Sequence, residues 1–179
     1  FYIGLNKQIA QLNHHNLFFD ESLTDHGKEI YDDPKWPTKP LFYVSATTKT
    51  DSSVAPKGFE NLMVLIPLAT ELDDTPEMRE KYFKIIMDRM ELHCKEPILE
   101  YLIYKKSFCI NDFKSAYNSY KGNAYGLANT LGQTANLKPK IKSKLQNVYF
   151  CGQLTVPGPG IPPALISGKI AAKQLITEL

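Results

Sequence analysis

Val148-Tyr-Phe-Cys-Gly152-Gln-Leu-Thr-Val-Pro157-Gly-Pro-Gly160-Ile-Pro-Pro-Ala-Leu-Ile-Ser-Gly168-Lys-Ile-Ala-Ala-Lys-Gln-Leu175 decides how this chain is read. Val148–Cys151 is apolar and of strand length, the pattern of a strand buried in a sheet covered on both faces. Gly152 follows at once, where a side chain would obstruct close approach of the backbone to a ligand. Pro157, Pro159, Pro162 and Pro163 stiffen the loop, so little ordering entropy remains to be lost on binding. Pro163 suits a first helical turn, and the helix is expected to run from there to about Thr177. Its face Ala164, Gly168, Ala171, Leu175 is small first and larger later, with Lys169 and Lys173 on the opposite side. Strand, rigid loop and helix together deliver a helix N-terminus to a strand's end, a place suited to an anionic or nucleotide-like ligand.

Outward from this motif, the composition is that of a soluble globular protein. The chain has 179 residues, 43% hydrophobic and 22% charged, enough to bury a real core. A net charge of +2 excludes a dedicated nucleic-acid binder. Cys94, Cys109 and Cys151 form no Cys-x-x-Cys pair, which argues against a disulfide framework or a thiolate zinc site and for a reducing compartment, hence a cytoplasmic setting. No apolar run approaches the ~20 residues that cross a bilayer. The chain opens on Phe1, inside a strand-like segment, and is expected to be a piece of a longer polypeptide.

Upstream, Phe1–Leu5, Leu17–Phe19, Leu41–Thr47, Asn61–Leu68 and Leu99–Phe108 read as strands by residue type, Leu41–Thr47 and Asn61–Leu68 together as an antiparallel pair or a loosely connected ribbon. Ser22 should cap a helix to Tyr31. Thr75-Pro76-Glu77 should open a longer helix with Met78, Tyr82, Ile86 and Met90 inward, ended by Pro97. Asn111–Phe113 begins a helical turn. The expected fold class is α+β, a mixed or antiparallel sheet with helices over residues 1–145. Residues 146–179 are expected to add the C-terminal strand–loop–helix of a Rossmann-like domain.

Other candidates read more plainly. His14 and His15 are adjacent, and in an extended chain their rings point to opposite faces, so no metal is expected. Cys151 reads as a small buried apolar residue. Lys138, Lys140, Lys142 and Lys144 alternate as a solvated loop or a membrane-surface patch. The loop Lys121–Gln133 is punctuated by glycines.

The string Tyr149–Lys169 resembles the C-terminal flavin-binding segment of bacterial phytoene (carotenoid) desaturases, members of the amine-oxidase-like FAD superfamily. Phe1-Tyr-Ile-Gly-Leu, His14-His15-Asn, Phe42-Tyr-Val-Ser, Thr50–Glu60 and Tyr120–Leu127 match family landmarks in family order, so the resemblance covers the whole chain. It implies that Gly152 and Gln153 lie along the ribityl and pyrophosphate of FAD. It also places Gly160, Ile161, Pro162, Pro163 and Ala164 at the isoalloxazine, and Tyr125, Gly126 and Leu127 beside the polyene. Gln153 departs from the family, where alanine or a carboxylate is common. No Gly-x-Gly-x-x-Gly fingerprint occurs, so the FAD site in this chain is expected to be incomplete.

The implied activity is removal of hydrogens from a C–C bond of a hydrophobic carotenoid to FAD, with quinone or oxygen as final acceptor and peripheral contact with the membrane surface. A hydroxycarotenoid 3,4-desaturase, a carotenoid isomerase or oxidase, and a non-catalytic interaction domain are the alternatives. No residue reads as a catalytic acid or base.

Overall fold

The computed structural model describes residues 1–128 and 130–178; Asn129, in the expected glycine loop, and Leu179 lie outside them. The chain divides into two compact units, Phe1–Phe113 and Lys114–Leu179. The domain boundary expected at 145/146 falls inside the second of these units.

The first unit is a single antiparallel sheet with helices. Its strands are β1 (Tyr2–Leu5), β2 (His15–Phe18), β3 (Phe42–Ser45), β4 (Glu60–Leu65) and β5 (Leu102–Lys106), in the order β2-β3-β4-β1-β5. The expected pair is present, with Tyr43 opposite Leu65 and Ser45 opposite Met63. Leu99–Tyr101 forms a 3₁₀ turn, so the strand expected from Leu99 begins only at Leu102.

Local chemistry sets the helices. α1 (Leu23–Tyr31) starts where the Ser22 hydroxyl accepts the Asp25 N–H at 3.2 Å. α2 (Pro76–Cys94) starts where Thr75 Oγ1 accepts the Met78 N–H at 3.2 Å, and it ends one residue before Lys95, which takes a left-handed conformation at φ 54°. Tyr82, Phe83, Ile86, Met87, Met90 and Cys94 make its buried stripe. They pack on Ile3, Leu5, Val44, Leu62 and Val64 from alternate positions of the sheet. Each such side chain removed from water stabilises the fold by about 1.5–3 kcal/mol. α3 (Ile110–Tyr117) follows β5.

Charge ties these elements together. Arg79 donates to both Asp74 oxygens at 2.6 Å and pairs with Asp112 at 2.8 Å, while the Asn111 N–H donates to Asp74 at 2.8 Å. Burial alone would raise the Asp74 carboxyl, but the Arg79 guanidinium and the Asn111 N–H more than offset it and hold it low. Glu60, whose side chain is fully buried, pairs with Lys49 at 2.9 Å and accepts the Ile9 N–H at 3.2 Å.

The second unit carries α4 (Ile161–Glu178), which begins two residues earlier than expected because Pro162 and Pro163 both fit the first turn. The segment expected as a buried strand, Val148–Cys151, forms instead a single bridge, Tyr149 opposite Lys142. Phe150 is 49% exposed and Cys151 is exposed. The reason is that a strand is covered only when neighbours flank it, and the described residues give this one only the arm 141–143. Among the described residues no helix is long and apolar enough to cross a membrane.

Candidate functional site

The loop between Gly152 and Gly160 is shaped by backbone conformations that side chains resist. Gly152, Gly158 and Gly160 have φ of 106°, 133° and 107°, values that only glycine adopts without strain. Among the described residues, a Cβ built on Gly152 meets nothing within 4 Å beyond its chain neighbours, so they leave the space before this backbone open. The loop's start is pinned from behind. Ser167 is fully buried on α4; its hydroxyl accepts the Gly152 N–H at 2.7 Å and donates to the Ala164 carbonyl at 2.6 Å. Sequence reasoning missed Ser167, although its place three residues after Ala164 on the small face was a usable signal.

The N-terminus of α4 is poorer in donors than its position suggests. A helix normally leaves about four N–H groups unpaired at its start. Here Pro162 and Pro163 have none, and the Ala164 N–H is already given to the Gly160 carbonyl at 3.0 Å. Gly160 and Ile161 are left as the donors, backed by the helix dipole.

Lys138 corrects the reading of a solvated lysine run. It is 5% exposed, and its Nζ is buried with no hydrogen-bond partner among the described residues. Its Cε lies 3.4 Å from the position of a Cβ on Gly158. The 3₁₀ turn Ala135–Leu137 precedes it and is closed by the Lys138 N–H on the Ala135 carbonyl at 3.2 Å. Lys142 is also engaged, with Glu178 at 2.5 Å. Lys140 and Lys144 are exposed.

The glycine loop meets the same place. Gly126, at φ 83°, would put a Cβ 2.6 Å from Leu154 Cδ2 and 3.6 Å from the Gln153 carbonyl. Its N–H donates to Asn123 Oδ1 at 2.7 Å. The structure thus brings Gly126 against Gln153, while the adjacent Tyr125 is 62% exposed.

In the first unit, the sheet face away from the core forms an open groove of about 310 Å³ lined by Tyr2, Gly4, Asn61, Met63 and Tyr104. Alternation along β1 and β4 put these residues on one face, a signal that sequence reasoning left unused. The His14 and His15 rings stack at 4.1 Å rather than opposing each other, because β2 begins only at His15. His14 meets Thr50 Oγ1 and His15 meets the Tyr43 hydroxyl, each at 2.6 Å. Cys151 is exposed rather than buried, for want of strands flanking its segment.

Known proteins resemble this chain over nearly its whole length. The family model described as flavin containing amine oxidoreductase matches residues 4–176. A carotenoid 3,4-desaturase of Haloarcula japonica is 38% identical over 179 residues, covering 99% of this chain and 36% of the relative. A 4,4'-diaponeurosporene oxygenase of Staphylococcus aureus is 32% identical over 97% of this chain and 36% of its own length. A zeta-carotene-forming phytoene desaturase of Myxococcus xanthus is 30% identical over 98% of this chain and 35% of its own. The chain therefore spans about a third of the length of the curated relatives it matches. With the family model spanning all but the ends, this chain belongs to the flavin-containing amine oxidoreductases.

Proposed function

We propose that this chain is the C-terminal part of an FAD-dependent carotenoid desaturase, and that residues 146–179 close the cofactor site while residues 1–145 serve the substrate. The observation that carries the reading is the Gly152–Gly160 loop, open in front of Gly152 and leading into α4. Its residues fit an elongated anionic cofactor: bare backbone at Gly152 and Gln153, then Gly160, Ile161, Pro162, Pro163 and Ala164 at the helix start. The orphaned Lys138 ammonium beside the loop is a further sign of fit.

A bound flavin would supply acceptance of a hydride equivalent from a C–C bond beside the polyene. The chain's own residues supply position and field. Ser167 fixes the Gly152 backbone, and the α4 dipole favours negative charge at its N-terminus. Tyr125, Gly126 and Leu127 border the site on the substrate side, and the groove at Tyr2, Met63 and Tyr104 offers an apolar, aromatic face to a polyene. Quinone or oxygen would take the electrons onward. Since the substrate dissolves in lipid, the enzyme works from the cytoplasmic side, peripheral to the membrane, with Lys140 and Lys144 free to face it.

The test is to purify the full-length polypeptide and record its spectrum, then supply phytoene with a quinone and analyse the pigments. Flavin absorbance with longer conjugation in the product is expected; protein that binds no flavin would sink the reading and leave the interaction domain. The 38% identity to a carotenoid 3,4-desaturase favours a second reading, desaturation at the 3,4 position of a hydroxylated carotenoid. Supplying hydroxylated and unsubstituted carotenoids in parallel decides between them.

A further inference from the structure

We propose that Lys138 is an anion-binding residue of the cofactor site, its ammonium meeting a negatively charged group of the bound flavin dinucleotide beside Gly158 and the N-terminus of α4. The proposal rests on the flavin reading above and deepens it. An ammonium removed from water without a partner is costly, and folded proteins keep such groups only when something compensates them. Lys138 is 5% exposed and its Nζ has no hydrogen-bond partner among the described residues.

The surroundings show where the compensation would come from. Lys138 Cε lies 3.4 Å from a Cβ position on Gly158, so the side chain runs against the loop that leads into α4. Glycine there, at φ 133°, keeps the intervening space clear. The helix start beyond it has lost the Pro162 and Pro163 donors, so its dipole favours an anion while few N–H groups can contact one. A flexible cation with three donors fills that gap. Two parts of a flavin dinucleotide carry the required charge: the diphosphate, in every redox state, and the N1–C2 carbonyl edge of the ring once reduced.

The experiment uses the full-length polypeptide, wild type against Lys138→Met and Lys138→Arg. It measures FAD affinity of the apo-protein by fluorescence quenching, the flavin midpoint potential, and Tm with and without FAD. If the partner is the diphosphate, Lys138→Met weakens FAD by about 10- to 100-fold in both redox states, with the potential unchanged. If it is the reduced ring, oxidised FAD binds as before and reduced FAD about tenfold more weakly, which lowers the potential by about 30 mV. In both cases Lys138→Arg keeps the wild-type values. The apo-protein should gain Tm in Lys138→Met, since an unpaired buried charge is removed. Lys138→Met with affinity within about twofold and an unchanged potential overturns the proposal, as does a loss of apo Tm with an unchanged FAD-induced shift. Should Lys138→Met fail to fold, Lys138→Gln is read in the same way. A wild type without flavin is a different failure, that of the family reading.

Discussion

Replacing Ser167 by alanine removes a single oxygen from the one fully buried polar side chain of α4, and the structure gives the size of the effect. The Ser167 hydroxyl holds the Gly152 N–H at 2.7 Å and returns its own proton to the Ala164 carbonyl at 2.6 Å. Ala164 is inside the helix and keeps its helical acceptor role, so its loss is small. The Gly152 N–H has no such alternative, and leaving a part-buried donor unmade costs about 1–3 kcal/mol. Gly152 begins the loop proposed to run along the cofactor. If that loop must be ordered for binding, the full cost appears in FAD affinity as a weakening of about 5- to 150-fold. Titrating apo-protein of the full-length Ser167→Ala variant with FAD measures this directly. Thr177→Ala is the control: it deletes a hydroxyl–carbonyl bond of 2.9 Å to Lys173 on the same helix, exposed and far from Gly152. Ser167→Ala affinity within twofold of wild type would show that the Gly152 backbone is not coupled to the cofactor.

Further expectations concern the first unit. Lys49→Met strands the buried Glu60 carboxylate and should destabilise the unit by about 3–5 kcal/mol, most of it recovered by Glu60→Gln in the same background; urea denaturation of both variants checks this. Burial, with the Glu29 carboxylate nearby, pushes the Tyr82 hydroxyl up to about 12. A raised pKa on an acid gives stability that is whole below the ordinary value of about 10 and lost as pH climbs through the folded one. Tyr82 should thus forfeit about 3 kcal/mol between pH 10 and about 12, a loss that thermal melts of Tyr82→Phe should lack. Met63→Asp places a charge in the sheet groove and should cut carotenoid turnover about tenfold with flavin content unchanged; unchanged turnover removes the groove from the substrate path.

Which parts of this molecule were readable depended on whether their causes are local. Thr75, Pro76 and Glu77 start α2 by contacts within one turn, and the stripe from Tyr82 to Met90 follows from helical spacing, so both were legible. The pairing of β1 with β4 and β5 was not, because strand partners are chosen by packing across distant segments. The lysine run misled for a related reason. Alternating charge reads as solvent-facing, and Lys140, Lys142 and Lys144 are exposed, but Lys138, which closes a 3₁₀ turn, is buried, which residue type does not reveal. Val148–Cys151 has the composition of a strand, yet it forms a single bridge to Lys142, because composition makes a buried strand only where other strands flank it. At the candidate site, the glycines announced their backbone conformations, whereas Ser167 passed as one more small residue on a helix face.

The contact of Gly126 with the Leu154 side chain and the Gln153 carbonyl carries a thermodynamic obligation. It joins the stretch proposed to meet the polyene to the stretch proposed to meet the flavin, with the Leu154 side chain filling the space that a Cβ on Gly126 would take. If one ligand shifts this contact and the other feels the shift, their affinities are linked. Linkage is reciprocal, so the factor by which bound flavin alters carotenoid affinity must equal the factor by which carotenoid alters flavin affinity. Where bound flavin tightens carotenoid, scarcity of carotenoid loosens the flavin; where it weakens carotenoid, arriving substrate helps to release the cofactor.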